Sequence, residues 1–124
     1  MAKKVIGNKF GGYPFSEGVL VDGTFYLSGM LGIDFTKGIL AEGGVKEETR
    51  CAISNLEASL KKADMTLANV VKITGYLADL NDYAEFNEAY SECFKNIEEL
   101  PAREVVQVGL ILGAKVELSF IAVK

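Results

Sequence analysis

The sequence predicts an α+β fold with the order β-β-β-α-β-α-β-β, in which two amphipathic helices bury their apolar stripes on one face of a six-stranded sheet. Three observations predict it. Asp22-Gly23 divides two β-prone apolar runs, two longer segments repeat apolar residues at helical spacing, and the C-terminal "KVELSFIAV" alternates between two faces. The 124 residues read as one domain, 1–124, because no repeat, low-complexity tract or linker interrupts them and the length suffices for one core.

A short strand, "KKVIG", comes first. "EGVLVDGTFYLSGM" follows as a hairpin, since Asp-Gly supplies the positive φ angles of a two-residue turn. "GIDFTKGILAEGG" is glycine-rich and reads as a loop with a turn at Lys37-Gly38. From Val45 to about Ala63, the residues Ile53, Leu56, Leu60 and Ala63 form a helical stripe, with Glu47 and Glu48 in the first turn and Lys61 and Lys62 in the last.

"ANVVKITGYLADL" then reads as a buried strand and "NDYAEFNEAYSECFKNI" as a second helix. Asp82 and Glu85 have capping-box spacing, and Tyr83, Phe86, Tyr90 and Phe94 form the inner stripe. After Pro101 come "EVVQVGLIL" and "KVELSFIAV", two strands separated by Gly113-Ala114. In the last strand Val116, Leu118, Phe120 and Ala122 share one face while Glu117 and Ser119 share the other. Both helices on one face leave the opposite face uncovered. That face, expected to carry Ile33 and parts of four strands, predicts a homo-oligomer in which copies cover one another.

About half the residues are apolar and a quarter charged; seventeen acids against thirteen bases give a net charge of −4. The chain has no general attraction for phosphate backbones or anionic membranes, so neither nucleic acid nor membrane is an expected partner. The N-terminal "MAKKVIGNKFGG" has no apolar run behind its lysines, and no later run reaches membrane-spanning length; a cytoplasmic location is expected. Cys51 and Cys93 fall in the helices without CxxC spacing and are expected to be reduced, buried thiols. With no histidine, zinc sites and Ser-His chemistry are excluded, and carboxylates and water must carry any proton transfer. Neither GxxxxGK nor GxGxxG occurs, so no cofactor and no metal are expected.

Against this background Arg103 stands out, because lysines outnumber arginines eleven to two and it follows Pro101-Ala102 at the mouth of a β-branched run. A guanidinium grips a carboxylate through a planar fork, so Arg103 either binds a carboxylate ligand or forms a surface ion pair with Glu99, Glu104 or another acid. Glu117, in mid-strand, is either a general acid/base or a solvent-facing residue; cover from a neighbouring subunit would bury it and raise its pKa. Ser28-Gly29 ends a strand where a missing Cβ admits a ligand and Ser can donate one hydrogen bond. Asn87 lies beside the inner stripe of the second helix, where it bonds a ligand or faces solvent. Arg50 reads as a solvated helix residue, and Tyr13 and Phe15 as loop anchors.

The stretches "YPFSEGVLVDGTFYLSG", "NVVKITGYLADLNDYAEFNEAY" and "LPAREVVQVGLILGAKVELSFIAV" together resemble the RidA/YjgF family of reactive-intermediate deaminases, also called L-PSP endoribonuclease-like. The resemblance covers nearly the whole chain, and its final block, PAR through VEL to IAV, is the most specific part. It implies a homotrimer of chorismate-mutase-like subunits whose mixed sheets form a central barrel with three clefts between subunits. It also implies that Arg103 binds the carboxylate of a 2-imino acid or its enamine tautomer. Glu117 is implied to assist proton transfer as the imine is hydrolysed to a 2-keto acid and ammonia, with Phe15, Ser28, Gly29, Asn87 and Val105 at further pocket positions. The residue set suits this chemistry, because an imine is already electrophilic and needs positioning and proton transfer more than a strong nucleophile.

This chain departs from the family pattern at four positions. Phe15 stands where the family has tyrosine, Met30 where it has glutamine, Val105 where deaminase-type members often have cysteine, and Glu104 where serine or threonine is usual; an inward Glu104 would compete with an anionic substrate. Three functions follow: the deaminase; a trimer that binds a small carboxylate or keto acid in a regulatory or chaperone-like role; and, ranked last for an acidic chain without histidine, the endoribonuclease of the family's older name.

Overall fold

The computed structural model describes residues 2–124. Strands β1 (Lys4–Ile6), β2 (Gly18–Val21), β3 (Thr24–Leu27), β4 (Met30–Leu31), β5 (Ile33–Asp34) and β6 (Ile39–Leu40) precede helix α1 (Val45–Lys61). β7 (Val70–Leu77), helix α2 (Tyr83–Cys93), β8 (Ala102–Gln107) and β9 (Val116–Val123) complete the chain. The main sheet runs β1-β2-β3-β9-β7-β8, with β4 continuing the β3 lane against β9. Taken as one interrupted lane, β3 and β4 give the six lanes expected. β7 and β8 are parallel while the other pairs are antiparallel, so the sheet is mixed; α2 supplies the crossover that a parallel pair requires.

The hairpin turn forms as its sequence demands, with φ of 48° at Asp22 and 82° at Gly23. β9, at the centre of the sheet, presents Val116, Leu118, Phe120 and Ala122 to the helices, all 0% exposed. They join Ile53, Leu56 and Leu60 of α1 and Phe86 and Tyr90 of α2 in one core. Full burial stabilises by roughly 1.5–3 kcal/mol for each large apolar side chain.

Several expectations are corrected. The glycine-rich stretch holds a small hairpin, β5 against β6, closed by the Asp34 carboxylate accepting from the Thr36 and Lys37 amides. Ile33 lies in that hairpin on the helix side, where its carbonyl accepts from Asn55 and Cys51 of α1, so it does not belong to the uncovered sheet face. Asp82 does not cap α2 with its side chain; the chain enters through a 3-10 turn at Leu80–Asp82, and Asp79 caps that turn through the Asn81 amide. Glu48 is no solvated first-turn acid but a buried one, accepting from the Lys115 amide at 2.9 Å and tying the start of α1 to β9. Cys51 and Cys93 are free but only half-buried, and burial pushes both thiols up in pKa, away from thiolate chemistry. The strand expected over "EVVQVGLIL" begins earlier, at Ala102, and stops at Gln107, pairing with β7.

The helix-free face is apolar in part. Tyr26 and Val106 point away from the helices and remain 51% and 43% exposed. Among the described residues no helix is long and apolar enough to cross a membrane.

Candidate active site

β8 is an edge strand, and its residue Arg103 lies opposite Ile73 of β7, whose side chain is fully buried beneath the helices. Strand alternation therefore turns the guanidinium toward α2. Tyr83 and Asn87, four residues apart on that helix, face it together. Arg103 Nη1 donates to Asn87 Oδ1 at 2.8 Å and Nη2 to the Tyr83 hydroxyl at 2.8 Å. Below, the guanidinium carbon lies 4.7 Å from the centre of the Tyr90 ring. Burial pushes the Tyr90 phenol up despite the nearby positive charge, so the ring stays neutral beneath the cation.

No ion pair neutralises this arginine: among the described residues no carboxylate oxygen comes within 4.0 Å of its nitrogens. Glu104 alternates to the opposite face and pairs with Lys72 at 2.7 Å, so it does not compete for the guanidinium. Val105 returns to the helix side, half-buried against the core beside Gly75 and Phe86. Arg50, by contrast, is spent on Glu47 and Glu92, as expected of a solvated helix residue.

A second group forms around the break between β3 and β4. Tyr26 pairs with Ile121 and Met30 with Leu118, so one more residue is spent on the β3–β4 side than on β9, and Ser28-Gly29 is a bulge. Glu117 reaches over it. A Cβ built on Gly29 would lie 2.3 Å from the Glu117 carboxylate, so only glycine leaves the carboxylate where it is. Half-burial raises the Glu117 pKa above the ordinary carboxylate value.

Ser28 differs from expectation. Its hydroxyl already donates to the Ser16 carbonyl at 2.6 Å, so toward a ligand Ser28 presents lone pairs rather than a proton. Phe15 adjoins this group through Ser16; its ring is 46% exposed, edge-on to Phe10 and stacked with Tyr13.

Arg103, Asn87 and Val105 thus gather on the helix side of the sheet, while Ser28, Gly29 and Glu117 gather on the other. A single protomer does not bring the two groups together. A cavity of about 130 Å³ beside Phe10, Met30 and Phe35 is lined by neither Arg103 nor Glu117. Among the described residues no three of the Cys, Asp and Glu side chains are placed to hold a metal ion. Sequence reasoning missed Tyr83 as a brace for Arg103; its spacing of four from Asn87 was the available signal.

A profile of the endoribonuclease L-PSP family matches residues 11–124. The chain belongs to this family, the RidA/YjgF/L-PSP family. One L-PSP relative, human 2-iminobutanoate/2-iminopropanoate deaminase, is 42% identical over 112 residues, covering 90% of this chain and 80% of the human protein. The crystal structure of YyfA from Yersinia pestis, a protein of unknown function in the conserved Rid family, superposes with a TM-score of 0.90 at 33% identity, covering 99% of this chain and all of that one. The crystal structure of E. coli TdcF with bound serine superposes at 0.85 with 29% identity, covering 90% of this chain and 88% of TdcF. These relatives establish the L-PSP fold for the chain: two helices on a mixed sheet.

Proposed function

We propose that the protein is a hydrolytic deaminase of reactive 2-imino and 2-enamino acids, working as a homotrimer whose sites form between copies. The observation that carries the reading is Arg103: a half-buried guanidinium braced by two neutral partners with no acid to neutralise it. Of its five N–H donors two are engaged, which leaves three for a carboxylate. The human relative's 2-imino acid chemistry and the serine held by TdcF support a small substrate carrying that carboxylate.

The opposed faces support this assembly. Because Arg103 and Glu117 lie on opposite sides of one sheet, a shared site takes Arg103, Asn87 and Val105 from one copy and Glu117, Ser28, Gly29 and Phe15 from the next. The exposed apolar face carrying Tyr26 and Val106 supplies a surface for that contact. Two free cysteines are in keeping with a reducing, cytoplasmic setting.

In this site the substrate carboxylate rests on Arg103 and its nitrogen lies toward Ser28 and Glu117. An enamine first takes a proton at carbon and gives one up from nitrogen to water, becoming the imine. Glu117, its pKa raised by burial, delivers a proton to the imine nitrogen as water adds to C2. The adding water gives its first proton to the Glu117 carboxylate, which passes it to the amino group of the carbinolamine; the C–N bond then breaks to release ammonia, the remaining hydroxyl proton returns to the carboxylate, and the 2-keto acid remains. Ser28, with its own proton committed to Ser16, accepts an N–H or water O–H and orients it. The Phe15 ring supplies an apolar wall. Neither metal nor cofactor is needed, since every step moves only protons and water.

The test is keto-acid release from 2-aminoacrylate or 2-aminocrotonate generated in situ by a dehydratase. Wild type accelerates release and Arg103→Ala does not. Hybrids separate the composite site from a site within one chain: Arg103→Ala and Glu117→Gln are each inactive, yet refolded together they recover about a quarter of wild-type activity, because that share of adjacent pairs has both side chains intact. Absence of recovery in mixed trimers sinks the composite site. An inactive wild type with intact trimers would leave a carboxylate-binding module. RNA cleavage that persists on repurification and disappears in Arg103→Ala would instead favour the endoribonuclease.

A further inference from the structure

Glu17 belongs to neither half of the proposed site, yet it is only 4% exposed. Its place just before β2 would ordinarily turn a charge outward. Instead the carboxylate lies beneath the last turns of α1, where Lys62 Nζ donates to Oε1 at 2.7 Å and Ser59 Oγ donates to Oε2. The two donors are three residues apart and so share one face of the helix. The side chain also passes so close under Gly7 that a Cβ there would fall 2.5 Å from its oxygen. An apolar residue would fill such a space without the cost of desolvating a charge, so the arrangement asks for a role beyond cohesion.

The backbone shows what the carboxylate holds. The Glu17 amide donates to Gly7 O at 3.0 Å, and the Glu17 carbonyl accepts from the Ser28 amide at 3.0 Å. One residue earlier, the Ser16 carbonyl accepts the Ser28 hydroxyl. We propose that Glu17, clamped by Ser59 and Lys62, is a positioning residue for the deamination: it fixes the 15–17 segment, and through it the direction of the Ser28 hydroxyl and the place of Phe15. This rests on the deaminase reading given above. Glu17 itself touches no substrate. Arg103 and Ser28 lie on opposite faces of the sheet, so holding the carboxylate of the substrate and orienting its nitrogen are separable.

That separation gives the test. On dehydratase-generated 2-aminocrotonate, Glu17→Ala lowers kcat about ten- to a hundredfold while KM stays within about twofold. Glu17→Gln keeps the shape and an acceptor oxygen and restores kcat to within about threefold of wild type. If Glu17→Ala misfolds, the Ser59→Ala/Lys62→Met double variant, altered only on α1, takes its place with the same expected split. Amide hydrogen exchange at Ser28, read by NMR, decides independently of turnover: exchange about tenfold faster in Glu17→Ala but unchanged in Glu17→Gln supports the clamp. Unchanged kcat, equal changes in kcat and KM, or Ser28 protection that ignores the substitution overturns it. A wild type without turnover sinks the deaminase reading instead, and the exchange data still decide whether Glu17 holds Ser28.

Discussion

Replacing Gly29 with alanine isolates the geometry around Glu117. Gly29 is not among the residues with positive φ, so alanine meets no backbone strain there, and its smaller unfolded-state freedom stabilises by about 0.4–1 kcal/mol. The added Cβ meets the carboxylate, at 2.3 Å from Oε2 and 2.9 Å from Cδ. Ordinary contact requires the carboxylate to retreat by about 1 Å. A side chain pushed off its rotamer costs about 0.5–1.5 kcal/mol, so the two effects nearly offset and Tm moves by less than about 4 °C. The same 1 Å at a proton-transferring group costs about a hundredfold in kcat, or about 2.7 kcal/mol of barrier. Thermal melting beside keto-acid release reads both. A folded Gly29→Ala protein with wild-type turnover would refute the placement of Glu117 at the chemistry, and a Tm fall beyond about 8 °C would refute the premise that only the carboxylate yields.

Gly23→Ala is the contrasting case: nothing lies within 4 Å of its added Cβ but φ is +82°, so it loses about 1–2 kcal/mol of stability, visible as a lower urea midpoint, with turnover unchanged. Glu117 has a raised pKa, so the folded state binds more protons than the unfolded one in the window above the ordinary glutamate value. Wild-type stability therefore falls as pH rises through that window, and Glu117→Gln abolishes this part of the slope in a Tm-against-pH series; identical slopes would contradict the burial argument. Val106→Asp places a charge on the exposed apolar face and is expected to yield monomers by mass measurement and to abolish turnover, whereas active monomers would exclude the composite site.

Local chemistry made much of this fold legible. The Asp22-Gly23 turn and the alternation from Val116 to Val123 depend on neighbours in sequence, and both appear as expected. The resemblance implies Arg103 and Asn87 as positions of one pocket, and their side chains lie 2.8 Å apart. The opposition of Arg103 and Glu117 was not legible, because it arises from which side of the sheet each strand presents after a parallel crossover, a long-range outcome that no single segment encodes. The donor state of Ser28 was equally hidden, since its partner Ser16 lies across a hairpin. Glu17, Ser59 and Lys62 each look like solvated residues until α1 is laid across the strand lanes. The same long-range packing turned Glu48 inward.

The bulge at Ser28-Gly29 also acts as a parity switch. Phe25, Leu27 and Met30 all face the core although the last step spans three residues, which an uninterrupted strand forbids. Deleting one bulge residue would leave Leu27 and Met30 two apart, still both facing the core in a regular strand, but it would remove the extra backbone over which the Glu117 carboxylate lies. The extra residue therefore serves the open face, where Glu117 lies, rather than the core, whose alternation a regular strand one residue shorter would keep.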